Sequence, residues 1–287
     1  MAADPNVQLV LDCHTDLGES PVWDARTGRL YFVDINEKRI HVYTPADKQH
    51  FTIDAPSTVG CVVPTTDPNL LLAALGSNVV EVNVEKRKTG RIVAFVSTDD
   101  NAEGTRFNDG KATPQGVFIV GRMNRAWRDG QPGKLFAMDL RVPGNTFGLL
   151  TILGPTEVCC PNGMDWDQDK GIFYFIDTAD SVVRSYPVDE NGVPKRSTDG
   201  VLVGVREASS HCMTLPHLAN SCTLSARAYL HPFCAAAAMH YIHSKQLGRK
   251  TCRVCRVSHD VAASLSWCTH ELWVLVCQSP LVKCLAW

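Results

Sequence analysis

The chain has 287 residues, 45% of them hydrophobic and 20% charged, with a formal net charge of −2. That length holds one large all-β domain or two ordinary ones, and the near-balanced charge gives no electrostatic reason to expect nucleic acid or a membrane surface as partner. No run approaches the ~20 apolar residues that span a bilayer, and the start Met1-Ala2-Ala3-Asp4 has no basic region followed by an apolar core, so no secretory signal is expected and a cytoplasmic protein is.

In chain order, short apolar alternations bounded by turn residues predict strands at 30–35, 40–43, 69–74, 79–84 and 117–120. The runs from Asp24 to Gly28 and from Asp167 to Gly171 have turn chemistry, with Asp opening the turn and Gly taking a positive φ. No stretch of the first 205 residues carries helical periodicity. An internal repeat runs through it. Trp23, Gly28 and Asp34 recur as Trp166, Gly171 and Asp177, with eleven residues from Trp to Asp in both copies and 143 between the copies. That separation is about three units of roughly 48 residues, and a related unit lies between them at Asn108 to Val120. Such a period, with four short strands per unit, is the pattern of propeller blades. Coincidental hairpins in a β-sandwich are the plain alternative.

In a propeller the first strand of each blade lines a central channel, so blade starts converge from distant positions. Three starts carry polar residues: Glu19 before Trp23, then Arg106, Asn108 and Asp109 before Gly110, and Asn162 before Trp166. Singly, Glu19 reads as a solvated loop acid and Asn162 as a turn residue. Their equal distance of four residues from the Trp of each copy points instead to one shared site. A carboxylate and an amide oxygen together suit a hard divalent cation such as Ca²⁺, Mg²⁺ or Mn²⁺, with Zn²⁺ a further candidate.

Leu17-Gly18-Glu19-Ser20-Pro21-Val22-Trp23, Arg106-Phe107-Asn108-Asp109-Gly110-Lys111 and Pro161-Asn162-Gly163-Met164 resemble the signature segments of the senescence marker protein/regucalcin/gluconolactonase family, over residues 7–205 and in the family's order. The resemblance implies an all-β, six-bladed β-propeller of the gluconolactonase type, incomplete here with about four blades recognisable, and a metal-dependent hydrolase of sugar lactones. It further implies that Glu19 and Asn162 ligate one divalent metal ion (Ca, Zn, Mg or Mn), while Arg106 and Asn108 hold the substrate's oxygens. Three departures stand against it. The third ligand should be an aspartate about fifty residues after Asn162, yet no Asp lies between Asp199 and Asp260. The acidic residue expected after the Gly-x-Met strand is missing, since Met123 is followed by Asn124-Arg125-Ala126, and Thr113 stands where an Asp is usual. The catalytic residue is therefore unknown and the enzyme is expected to be impaired. A calcium-binding regulatory protein and a non-functional truncated isoform are the competing readings.

Residues 206–287 change alphabet. Residues 1–205 hold 19 Gly, 3 His and 4 Cys at net −7, against 1 Gly, 7 His and 8 Cys at net +5 in 206–287. The expected boundary therefore separates propeller blades in 1–205 from an atypical Cys/His-rich tail. Cys252 and Cys255 form a C-x-x-C pair, but Cys268 and His270 are spaced poorly for a structural zinc site, and His240 and His243 are a lone i, i+3 pair. The expectation is an alternative exon, intron read-through or frameshift near Val205, with an appended module as the competitor. The tail residues that could replace the missing ligand are His211, Cys212 and Asp260.

Overall fold

The computed structural model describes residues 7–96, 104–139, 150–153, 158–179 and 182–195, together with the strand segments 206–208, 242–243, 253–257, 274–277 and 281–285. Among these the regular elements are strands and a 3-10 turn at Trp127–Asp129. Strand β1 (Val7–Asp12) comes first. Four antiparallel sheets follow in chain order. Blade 1 is β2 (Gly18–Asp24), β3 (Arg29–Asp34), β4 (Arg39–Thr44) and β5 (Gln49–Asp54). Blade 2 is β6 (Val59–Pro64), β7 (Leu70–Leu75), β8 (Asn78–Asn83) and β9 (Lys88–Phe95). Blade 3 is β10 (Thr105–Ala112), β11 (Val117–Asn124), β12 (Lys134–Asp139) and β13 (Leu150–Leu153), and blade 4 is β14 (Pro161–Asp167), β15 (Ile172–Asp177), β16 (Val182–Pro187) and β17 (Arg206–Ala208). A fifth sheet has the order β1-β19-β20-β21-β18, with β18 (Ile242–His243), β19 (Arg253–Val257), β20 (Val274–Cys277) and β21 (Leu281–Leu285). Of the tail positions singled out in the sequence, His211, Cys212, His240, Cys252, Asp260, Cys268 and His270 lie outside the described residues.

The predicted strands fall on β3, β4, β7, β8 and β11, and the alternation within them explains the packing. Side chains on a strand point to opposite faces in turn. Leu71 and Ala73 pack toward blade 1 with Tyr31, Val33, Ile40 and Val42. Leu72 and Ala74, between them, pack toward blade 3 with Phe107, Phe118, Val120 and Phe136. The opposite face of blade 3, with Ile119 and Leu135, meets Phe173, Phe175 and Tyr186 of blade 4. Blades 2 and 3 are thus apolar on both faces and clamped between neighbours. Full burial of one such side chain is worth about 1.5–3 kcal/mol, so the blade faces are the main source of stability.

Blade faces this close require glycine at the tightest points. A Cβ at Gly60 would lie 2.5 Å from the Asn108 carbonyl oxygen, and one at Gly121 would lie 2.4 Å from the Pro161 Cβ. Both contacts cross from one blade to the next.

The repeated aspartates have a structural use. Asp34, at the end of β3, accepts backbone N–H bonds from Asp16 (2.7 Å) and Leu17 (3.1 Å). Asp177, at the end of β15, accepts from Cys159 (2.6 Å) and Cys160 (2.9 Å). The offsets are the same in both blades, and both carboxylates are buried. Each one ties the segment leading into a first strand to the end of the second strand, which fixes where the first strand begins.

Candidate metal and substrate site

All four sequence-derived site residues lie on first strands: Glu19 on β2, Arg106 and Asn108 on β10, and Asn162 on β14. Those strands neighbour one another across the blades, β2 with β6, β6 with β10, and β10 with β14. Every one of them is bulged near its start, at one register in blades 2, 3 and 4 and one position later in blade 1. Between Glu19 and Val22, Val59 and Val62, Phe107 and Gly110, and Pro161 and Met164, the first strand has one residue more than its partner. A bulge bends a strand and re-aims its side chains, and here it recurs where the candidate residues sit.

The pairing register makes the equivalence specific. Trp23 pairs with Leu30, Trp166 with Phe173 and Ala112 with Phe118, and each partner lies two residues after the hairpin glycine, Gly28, Gly171 or Gly116. Four residues back along the first strand are Glu19, Asn162 and Asn108. Three blades therefore present a side-chain oxygen at one register position. In blade 2 the corresponding first bulge residue is Gly60, which the sequence reading did not find because blade 2 lacks the Trp landmark.

The surroundings of each residue define what it can do. Asn162 is half-buried and donates through Nδ2 to Thr178 Oγ1 at 2.8 Å, so the atom it could offer a cation is Oδ1. Asn108 is buried and used at both ends: Nδ2 donates to the Pro161 carbonyl of blade 4 at 2.8 Å, and Oδ1 accepts from Arg106 Nη1 at 2.8 Å. Arg106 Nη1 also donates to the Phe107 carbonyl at 2.8 Å. Burial pulls the Arg106 pKa below the ordinary arginine value, with Glu19 and Cys160 opposing and Arg125 adding to the fall. Glu19 on blade 1 and Arg106 on blade 3 are thereby within electrostatic reach of one another. Cys160 and Arg125 belong to this neighbourhood too. Both stand on connections between strands; Arg125 lies in the stretch where the expected acidic residue is missing, and nothing in the sequence context marks Cys160.

As a donor set, the Glu19 carboxylate and the Asn162 amide oxygen fit a hard divalent cation. Among the described residues there is no group of three or more His, Cys, Asp or Glu side chains that could hold one. Thr113, the other departure from the expected pattern, lies beyond the far end of β10 from Arg106. Its hydroxyl donates to the Asn191 carbonyl at 2.8 Å and accepts the Val117 N–H at 3.1 Å, so it joins blade 3 to blade 4.

A family profile described as SMP-30/Gluconolactonase/LRE-like region matches residues 17–208. The chain belongs to this family. It is 29% identical to regucalcin of Danio rerio over 202 residues, which are 67% of this chain and 62% of the relative. It is 35% identical to pentonolactonase XacC of Haloferax volcanii over 185 residues, 64% of this chain and 57% of the relative. The crystal structure of a calcium-binding protein, regucalcin, from Agrobacterium tumefaciens is similar with a TM-score of 0.57 at 19% identity, covering 70% of this chain and 61% of that one. The chain therefore spans about three-fifths of the length of the curated relatives it matches. The fold is that of the gluconolactonase and regucalcin propellers, with part of the blade set recognisable. No helix among the described residues is long and apolar enough to cross a membrane.

Proposed function

We propose that the chain acts on sugar lactones, opening the ring ester by hydrolysis at a site shared by blades 1, 3 and 4. The observation that carries this reading is the single register position held by Glu19, Asn108 and Asn162 within or just ahead of the first-strand bulges, with the half-buried Arg106 guanidinium held by Asn108. The similarity to pentonolactonase XacC supports the substrate class.

Glu19 and Asn162 would hold one divalent cation, which when bound would polarise the lactone carbonyl and make a bound water more acidic. Arg106 sets a fixed positive charge where the carbonyl oxygen becomes an oxyanion, and a preorganised cation there stabilises the transition state without reorganising during the reaction. Asn108 is a positioning residue: by holding Arg106 Nη1 at 2.8 Å and anchoring to Pro161, it fixes the guanidinium relative to Asn162. The lack of a second carboxylate in the donor set implies weak metal binding and slow turnover.

The test is hydrolysis of glucono- and pentonolactones by the full chain with Ca²⁺, Zn²⁺, Mg²⁺ or Mn²⁺, before and after chelation. Glu19→Gln should remove the metal-dependent part of the rate, and Arg106→Ala should lower turnover with the metal response kept. Hydrolysis unaffected by chelation and by Glu19→Gln would overturn the metal assignment. The calcium-binding description of the Agrobacterium regucalcin supports a second reading, calcium binding without turnover. Thermal stabilisation by Ca²⁺ with no lactone hydrolysis is its signature; saturation at 100 times the dissociation constant should add about 2.7 kcal/mol.

A further inference from the structure

The end of blade 3 that carries Arg106 collects positive charge. Arg122, near the end of β11, pairs with Phe107 on one side and with Lys134 on the other. The connection that follows adds Arg125 and Arg128, against one acid, Asp129, in residues 124–133. The backbone places Arg125 beside the site: Thr105 pairs with Asn124 and Arg106 with Met123, and the Arg125 N–H donates to the Gly104 carbonyl at 2.9 Å, just ahead of β10. Two of the other guanidiniums have evident partners. Arg106 is held by Phe107 and Asn108, Arg128 lies over the Trp127 ring at 4.4 Å, and Arg122 is buried. Arg125 is exposed, and no carboxylate among the described residues forms an ion pair with it.

Arg125 is also close enough to Arg106 to disfavour its charged form. Glu19 offsets part of the Arg106 charge, while Arg125 adds a second, exposed cation beside it, and guanidiniums bind phosphate and sulfonate oxygens through short charge-assisted bonds. The neighbouring connection closes the arrangement. Cys159 Sγ lies 3.0 Å from the Gln131 carbonyl and 3.3 Å from the Trp127 carbonyl, and its single S–H donates to one or the other, which ties the Arg-bearing connection to the segment leading into β14 and Asn162.

We infer that the ligand of this site carries an anionic substituent, a phosphate or sulfonate on a carbon outside the lactone ring, and that Arg125 is the residue that binds it. The inference rests on the lactonase reading and narrows it from sugar lactones to acid-substituted sugar lactones and the acids they open to.

The experiment uses the stable ring-opened acids, so that it reads binding and not turnover. Calorimetric affinities of the full chain are measured for gluconate, 6-phosphogluconate and 6-deoxy-6-sulfogluconate, at low and at raised salt. The expected result is that both substituted acids bind at least about tenfold more tightly than gluconate, as one further charge-assisted interaction implies. The phosphate should lead the sulfonate and lose more of its advantage in salt, because it carries more charge. Arg125→Ala should bring the affinity ratio toward one, Arg125→Glu should invert it, and Arg125→Lys should keep most of it. Thermal melts confirm that each variant is folded. Gluconate binding with no gain from either anion, or a ratio unmoved by Arg125→Glu, would overturn the inference and leave the lactonase reading standing. Binding of none of the three acids would overturn both.

Discussion

Blades 1 and 4 share a frame position by position. Trp23 and Trp166 face Leu30 and Phe173 across the first hairpin, Tyr43 and Tyr186 pair with those same residues across the second, and Asp34 and Asp177 gather the same set of incoming amides. They differ in what covers the face toward the preceding element. In blade 4 that face is aromatic, with Phe173, Phe175, Tyr186 and Trp166 packed against blade 3. In blade 1 the corresponding face carries Phe32, His41 and His50 in a stack, with ring centroids 4.5 Å apart for Phe32–His41 and 5.1 Å for His41–His50. Beside it, residues of the β1 region, Val10, Leu11 and Cys13, pack against Leu30, Phe32 and Tyr43. The same frame thus supports a face indifferent to pH in one blade and a titratable face in the other. Positions that satisfy the backbone are held alike, and positions that face the channel or a neighbour are free to differ.

The largest expected effect tests the shared frame. Each aspartate satisfies three backbone N–H groups, the third from Glu37 in blade 1 and Ala179 in blade 4. Asp177→Ala and Asp34→Ala should each cost about 4 kcal/mol in urea unfolding, since every stranded amide loses about 1–3 kcal/mol. A large gap between the two would break the equivalence of the blades.

Next in size is the contrast in pH response. Burial, followed by the charges of His50 and Arg39, pushes His41 down to about 3, and burial lowers His50 as well. A histidine whose folded pKa is depressed stabilises the fold fully above its unfolded value near 6.5. That contribution is lost as the pH falls from there toward the folded value, by about 1.4 kcal/mol per pH unit. His41 alone should therefore lower stability by roughly 2–3 kcal/mol at pH 4.5 relative to pH 7, and His41→Leu should flatten that part of the profile.

A third comparison sets two glycines side by side. Gly60→Ala, which forces a Cβ to 2.5 Å from the Asn108 carbonyl oxygen, should cost about 2 kcal/mol by overpacking between blades. Gly28 has a φ of +63° and open space around it, so Gly28→Ala should cost about 1 kcal/mol from backbone strain alone. Equal losses would mean that the blade seam relaxes freely. The smallest effect concerns Trp166, whose Nε1 donates to the Gly192 carbonyl at 2.6 Å. Trp166→Phe should lose about 1 kcal/mol, and a loss confined to the melting of blade 4 would place that bond in local rather than global stability.

Much of this was legible in the sequence because two copies of one unit lie in register. The Trp-to-Asp spacing located the first strands of blades 1 and 4, and with them Glu19 and Asn162, and the related unit ending at Val120 located Asn108. What the repeat could not supply was the reason for its conserved-looking ends. Asp34 and Asp177 read as strand-end residues, and only the fold brings the amides of Asp16, Leu17, Cys159 and Cys160 onto them. Gly60 was hidden because its meaning lies in the distance to another blade. The His41–His50 contact, 3.0 Å from Nδ1 to Nε2, joins residues on adjacent strands whose spacing follows no motif. The placement of Arg125 beside Arg106 depends on the β10–β11 register, which spacing alone leaves undetermined.

Strand β1 finds its hydrogen-bonded partner far along the chain. Blades 1 to 4 are each built from strands consecutive in the chain, and in blades 1 and 4 the aspartate links span only 17 or 18 residues, so each can form soon after it is synthesised. β1 pairs with β19, where Val7 meets Val257. During synthesis β1 can rest on blade 1, with Val10 packed on its face and accepting a hydrogen bond from Tyr43 Oη at 3.3 Å, but its ladder edge stays unpaired until β19, beginning at Arg253, has emerged. Long-range pairing of this kind is slow and leaves a strand edge open to other chains meanwhile. Yield of folded protein should therefore depend on the time between making the two ends.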